Sequence, residues 1–182
     1  MIQQRKYWPI ILAAVLMVSC TCSLLSSGPR LADSRSAGGM TVHFPDDWYS
    51  EREDEILVFS PEPIGDFFDM EPQPAFIAVS GYLDDWVSEG IRDADDLLDE
   101  IADEIRAGSV GRTDTVEGDD ITWLRATAEG DFDIFDRSVT GWIAVTLQGN
   151  AKFAFVLAVA PDHAWDEYEN IFEAMLEKVE LN

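Results

Sequence analysis

The residues best suited to chemistry in this chain are carboxylates. Asp131, Asp133 and Asp136, with Glu129 just before them, crowd one expected inter-strand loop, and hard oxygen ligands at that density suit Ca²⁺. The stretch lacks the Asp-x-Asp-x-Asp-Gly order and the distal Glu of an EF-hand, and such clusters arise freely among 36 acidic residues. Glu117, Asp119 and Asp120 fit a hairpin turn with solvated charges. The chain has two histidines: His43, opposite in phase to Val42 and Phe44 on an alternating segment, and His163, in the first turn of the last helix, where an imidazolium opposes the helix dipole. Both read as surface residues. No Gly-x-Ser-x-Gly elbow, Ser-x-x-Lys, Walker loop or His-Glu-x-x-His is present. A Ser/His/Asp triad is not excluded by spacing, since its members can lie far apart in sequence, but no residue recommends one. The expectation is a protein without catalytic residues and without a required cofactor. Phe67, Phe68 and Met70 sit between Asp66 and Asp69 in a Pro-rich segment, where displayed apolar side chains suit an interaction loop; the alternative folds them back as a lid over a sheet. Trp48, Trp86, Trp123, Trp142 and Trp165 read mostly as core.

The N-terminus carries an address. Arg5 and Lys6 precede an apolar run from Trp8 to Val18, then Ser19 and Cys20, the arrangement that holds positive charge inside while the apolar stretch enters a membrane. Met17-Val18-Ser19-Cys20 resembles the lipobox of bacterial lipoproteins, with Met17 where Leu is usual. The resemblance implies a signal peptide over 1–19, lipidation at Cys20 and acyl-chain anchoring on the extracytoplasmic face of the cell membrane. Cys22 fits less well, because Ser19 would then occupy an aliphatic position. Retention of residues 7–25 as an uncleaved span is the alternative, and it too leaves the rest of the chain outside. Residues 20–39 then read as the lipidated cysteine and a Ser/Gly-rich tether with a reach of ~25 Å.

The remainder, 40–182, is long enough to bury a core as one domain. It contains no cysteine, so it has neither a disulfide nor a thiolate metal site. The net charge of −24 becomes −26 once Arg5 and Lys6 are removed, which excludes nucleic acid as a partner and disfavours contact with anionic headgroups. Lysine occurs only at Lys6, Lys152 and Lys178, a bias that resembles salt-adapted proteins; a cationic partner is the functional alternative.

Apolar periodicity predicts strands over 40–44, 56–60, 75–83, 110–116, 121–128, 138–148 and 152–160, with a turn at Pro45-Asp46-Asp47-Trp48 and a tight hairpin at Gly149-Asn150. The strand 152–160 has no polar face and must be central. Ala94, Leu97, Leu98, Ile101 and Ile105 predict an amphipathic helix capped by Asp93 and closed near Gly108. Trp165, Tyr168, Phe172, Met175, Leu176 and Val179 predict a second helix capped by Asp162. The expected class is α+β: an α/β/α sandwich with a mainly antiparallel sheet of about six or seven strands and two main helices.

Two segments carry a family resemblance. Val42-His43-Phe44-Pro45-Asp46-Asp47-Trp48 resembles the opening F-x-Y-P-x-x-W of PsbP-like proteins, and Ala160-Pro161-Asp162-His163-Ala164-Trp165-Asp166-Glu167-Tyr168 resembles their closing helix. This family is named for an extrinsic protein of photosystem II and includes bacterial lipoproteins. The resemblance implies a noncatalytic binding or assembly factor acting on an envelope protein. The alternative function is a lipoprotein that carries or senses a small ligand or Ca²⁺.

Overall fold

The computed structural model describes residues 28–65, 73–83, 90–105, 107–131, 138–149 and 152–182. Among the described residues, ten strands and two helices follow in the order β1 (Asp33–Ala37), β2 (Met40–Phe44), β3 (Tyr49–Glu53), β4 (Ile56–Ser60), β5 (Ala75–Tyr82), α1 (Ala94–Glu104), β6 (Ser109–Glu117), β7 (Thr122–Asp131), β8 (Ser138–Gln148), β9 (Lys152–Pro161), α2 (Trp165–Glu177) and β10 (Glu180–Leu181). Seven strands form one sheet in the order β3-β4-β5-β9-β8-β7-β6, and β1-β2-β10 form a second, small sheet. All described pairings are antiparallel. The α+β sandwich expected from periodicity is the observed architecture.

The strand β9 lies at the middle of the large sheet, flanked by β5 and β8. Its side chains sort by size across the two faces. Ala154, Val156, Ala158 and Ala160 face a core built with α2 and the small sheet, while Phe153, Phe155, Leu157 and Val159 face a core built with α1. Small residues suit the α2 face because bulky rings crowd it from three sides: Phe76 and Trp142 flank Ala158 on the neighbouring strands β5 and β8, and Phe172 descends from α2. Trp123 and Trp142 hold their Nε1–H groups buried without a partner among the described residues, a desolvation cost that the packing of their rings must offset.

Four local expectations are revised. Residues 33–39, assigned to the tether on composition, form β1 and its turn. Gly38 and Gly39 take φ of 56° and 79°, the left-handed pair that a two-residue type I′ hairpin requires, so Ala37 pairs directly with Met40. Polar composition hides β1 because most of it stays solvated; it is held by hydrogen bonds from Arg35 to the Ser50 carbonyl and, at 2.8 Å, to Ser50 Oγ. The strand β3 is hidden likewise, an exposed edge of Tyr49, Ser50, Glu51, Arg52 and Glu53. Glu129 and Asp131, expected in a loop, belong to β7 and pair with Thr140 and Ser138. The helix α1 is capped by Asp93 as expected, with the Asp96 amide donating to its carboxylate at 3.0 Å, but it closes at Ile105 rather than near Gly108. Among the described residues, no helix is long and apolar enough to cross a membrane.

Candidate interaction surface

Strand direction gathers the loops at two ends of the large sheet. The β2–β3 turn, the start of the β4–β5 connection, the β7–β8 connection and the β9–α2 turn all leave from one end, as the pairs Tyr49↔Ser60, Ala75↔Val159, Asp131↔Ser138 and Val139↔Pro161 show. Two of these turns are closed by prolines: the Trp48 amide donates to the Pro45 carbonyl at 3.1 Å and the Ala164 amide to the Pro161 carbonyl at 2.8 Å. Asp162, expected to cap α2, instead accepts the Thr140 hydroxyl at 2.8 Å and ties the turn to β8. The N-cap position is Ala164, which supplies no side-chain hydrogen bond. The preceding Pro161 turn sets where the helix starts, and the acidic first turn, Asp166 and Glu167, complements its dipole.

The two turns bring together aromatic residues far apart in sequence. Trp48 lies edge-on to Tyr168, centroids 6.0 Å apart, and edge-on to Phe172 at 5.9 Å. Trp165 and Tyr168 both pack on Phe172, at 5.9 and 6.2 Å, and Phe172 stacks on Phe76 at 6.2 Å. The cluster thus runs from the core to the surface: Phe76 and Phe172 are fully buried, Trp48 is 9% exposed, and Trp165 and Tyr168 are half-buried. Exposed carboxylates rim it. Partial burial first, and then the negative charges of Glu167, Glu62 and Asp47, push the Tyr168 phenol above its usual range. None of those three carboxylates forms an ion pair among the described residues. The expectation that tryptophans are core holds for Trp48, Trp123 and Trp142, whereas Trp165 reaches the surface and Trp86 lies outside the described residues.

Behind this end, one arginine fastens three elements. Arg125 on β7 forks onto Asp114 of β6, Nε to Oδ1 at 3.0 Å and Nη2 to Oδ2 at 2.7 Å, and its Nη1 meets Glu173 of α2 at 2.9 Å. Its guanidinium also lies 5.9 Å from the Trp142 ring centroid. The Asp114 hydrogen bond raises the arginine's pKa against the desolvation that lowers it, while the same contact lowers that of Asp114.

Glu129 is exposed at the end of β7; Asp133 and Asp136 lie outside the described residues, as do Phe67, Phe68, Met70 and Cys20. Among the described residues no group of three His, Cys, Asp or Glu could hold a metal. His43 Nε2 meets Glu180 Oε1 at 3.2 Å across β2 and β10, and His163 is exposed in the turn before α2. At the opposite end of the sheet lies a groove of about 710 Å³, lined by residues that include Arg52, Glu55, Val79, Gly81, Tyr82 and Phe153. Sequence reasoning passed over it. Its one signal was Gly81, where a side chain would come within 3.4 Å of both Glu55 Oε2 and the Phe153 ring.

No protein-family model matches the chain. No curated protein matches it either. Solved structures do: the antiparallel sandwich with its two helices is a PsbP-like fold. One similar structure is that of cyanobacterial PsbP (CyanoP) from Synechocystis sp. PCC 6803, 13% identical, with a TM-score of 0.50 over 88% of this chain and 99% of that one. A Bacteroides thetaiotaomicron VPI-5482 structure aligns at 14% identity and a TM-score of 0.49, over 84% of this chain and 49% of the other.

Proposed function

We propose that this chain is an extracytoplasmic lipoprotein, anchored through acylated Cys20, whose domain acts without catalysis by binding or helping to assemble another protein of the cell envelope. The observation that carries this reading is the PsbP-like fold over nearly all of the chain, in company with an N-terminus of lipoprotein type. The surface of greatest chemical character, the Trp48–Tyr168 cluster, sets half-buried aromatic rings among exposed carboxylates, an arrangement suited to recognition rather than to bond breaking. Leu31 already packs against the α2-side core, so about 10 residues separate Cys20 from the domain. By Gly/Ser-rich scaling that tether reaches ~17 Å, which restricts partners to those at the membrane surface.

The test is cross-linking in intact cells followed by membrane purification of the native chain and of Cys20→Ala. A discrete envelope protein that co-purifies with the native chain and is lost from the variant is the expected result. Recovery of the native chain from the membrane with no specific partner would overturn the reading. A second reading, a carrier of a small ligand, is favoured by the groove beside Gly81. A ligand seated there raises the melting temperature of the native chain, and Gly81→Val abolishes that rise.

A further inference from the structure

We propose that the end of the domain where the Pro45–Trp48 turn meets the first turns of α2 is a docking surface for an arginine side chain presented by a protein partner. The proposal rests on the protein-binding reading above and names the chemistry of that partner. Two independent features meet here. The first is aromatic. The Trp48–Tyr168 edge contact and the packing of Trp165 on Phe172 place indole and phenol rings at the surface on a buried base of Phe172 and Phe76, so the rings are held rigidly and need no ordering on binding.

The second feature is charge. Asp47, Glu62 and Glu167 come from three separate segments, all are exposed, and each acts on the Tyr168 phenol. Arg35 is engaged on Ser50, and Arg125 on Asp114 and Glu173. Overall acidity accounts for carboxylates anywhere on this molecule. What distinguishes this end is that the carboxylates stand beside half-exposed aromatic rings. A planar guanidinium satisfies both halves, because it stacks on an aromatic face while donating to carboxylates at its edge; an ammonium does only the second well. The positive end of the α2 dipole does not oppose it, since Asp166 and Glu167 already compensate that end.

The probe is an end-capped Gly-Arg-Gly-Arg-Gly peptide titrated into the full chain carrying Cys20→Ser and Cys22→Ser, followed by NMR shifts of backbone amides and indole N–H groups. The expected result is saturable shifts confined to 45–48, 62 and 165–168 with the Trp48 and Trp165 indoles, weaker with the lysine peptide and absent with the citrulline peptide. Glu62→Gln with Glu167→Gln lowers the affinity at least fivefold, whereas Glu100→Gln with Glu104→Gln on α1, an equal change of charge, leaves it alone. Shifts spread over every acidic face, equal losses in both variants, or no binding would overturn the proposal. Recovery of an envelope partner undiminished by Glu62→Gln with Glu167→Gln leaves the protein-binding function standing and removes this surface. Arginine-peptide binding without any cellular partner does the reverse.

Discussion

At the residue scale, Arg125 is the side chain on which most depends. It joins β6, β7 and α2 through a forked contact to Asp114 and a single one to Glu173, with 18% of its side chain exposed. Hydrogen bonds to charged groups outweigh neutral ones, and removing the arginine also leaves two carboxylates facing each other's field. Arg125→Met is therefore expected to destabilise by about 2 kcal/mol in urea denaturation. The pair also sets an acid limit. Asp114 titrates below its usual value in the folded state, so its contribution is complete above ~pH 4 and is lost as pH falls through the folded pKa. The acid limb of the stability curve should be shallower in Arg125→Met than in the native chain; parallel limbs would refute the assignment. Phe172 is the second sensitive residue, touching Trp48, Phe76, Trp165 and Tyr168. Phe172→Ala should cost about 3–5 kcal/mol and broaden the Trp48 and Trp165 indole signals.

At the element scale, the two helices start by different devices, and substitutions separate them. Asp93 caps α1 with its own side chain, so Asp93→Ala is expected to cost about 1 kcal/mol. Asp162 does not cap α2 and, among the described residues, holds Thr140, so Asp162→Ala should cost less, about 0.5 kcal/mol, with the helicity of α2 unchanged by circular dichroism. Equal losses would restore Asp162 as a cap. Periodicity made α1, α2 and the strands β2, β4, β5, β7, β8 and β9 legible, because each buries a face and must repeat apolar residues to do so, whereas β6 is a solvated edge whose place is marked by the turn at Glu117-Gly118-Asp119-Asp120 that joins it to β7. The strands β1, β3 and β10 were not legible. They bury little, their sequences are polar, and they exist because a Gly38-Gly39 turn, the Arg35–Ser50 contact and the hydrogen bond from the Asn182 amide to the Gly39 carbonyl hold them in place. The central β8 adds a constraint that no periodicity shows: a side chain at Gly141 would sit 2.1 Å from the Ala158 carbonyl, so Gly141→Ala should cost about 3 kcal/mol or more.

At the scale of the whole molecule, a net charge of −24 pushes against compactness, and screening relieves it. The melting temperature is expected to rise as KCl goes from 0.05 to 1 M, and a flat profile would show that the acidic faces are already balanced locally. The sequence by itself determined the layered class, the central place of β9 and the Asp93 cap, because burial period and capping chemistry are local properties of the chain. Only the tertiary structure decided that Trp48 meets Tyr168, that Arg125 meets Glu173, and that Gly81 opens a groove. Those contacts join residues from distant segments, and their geometry follows from how strands pair and helices settle on them, which no local pattern encodes.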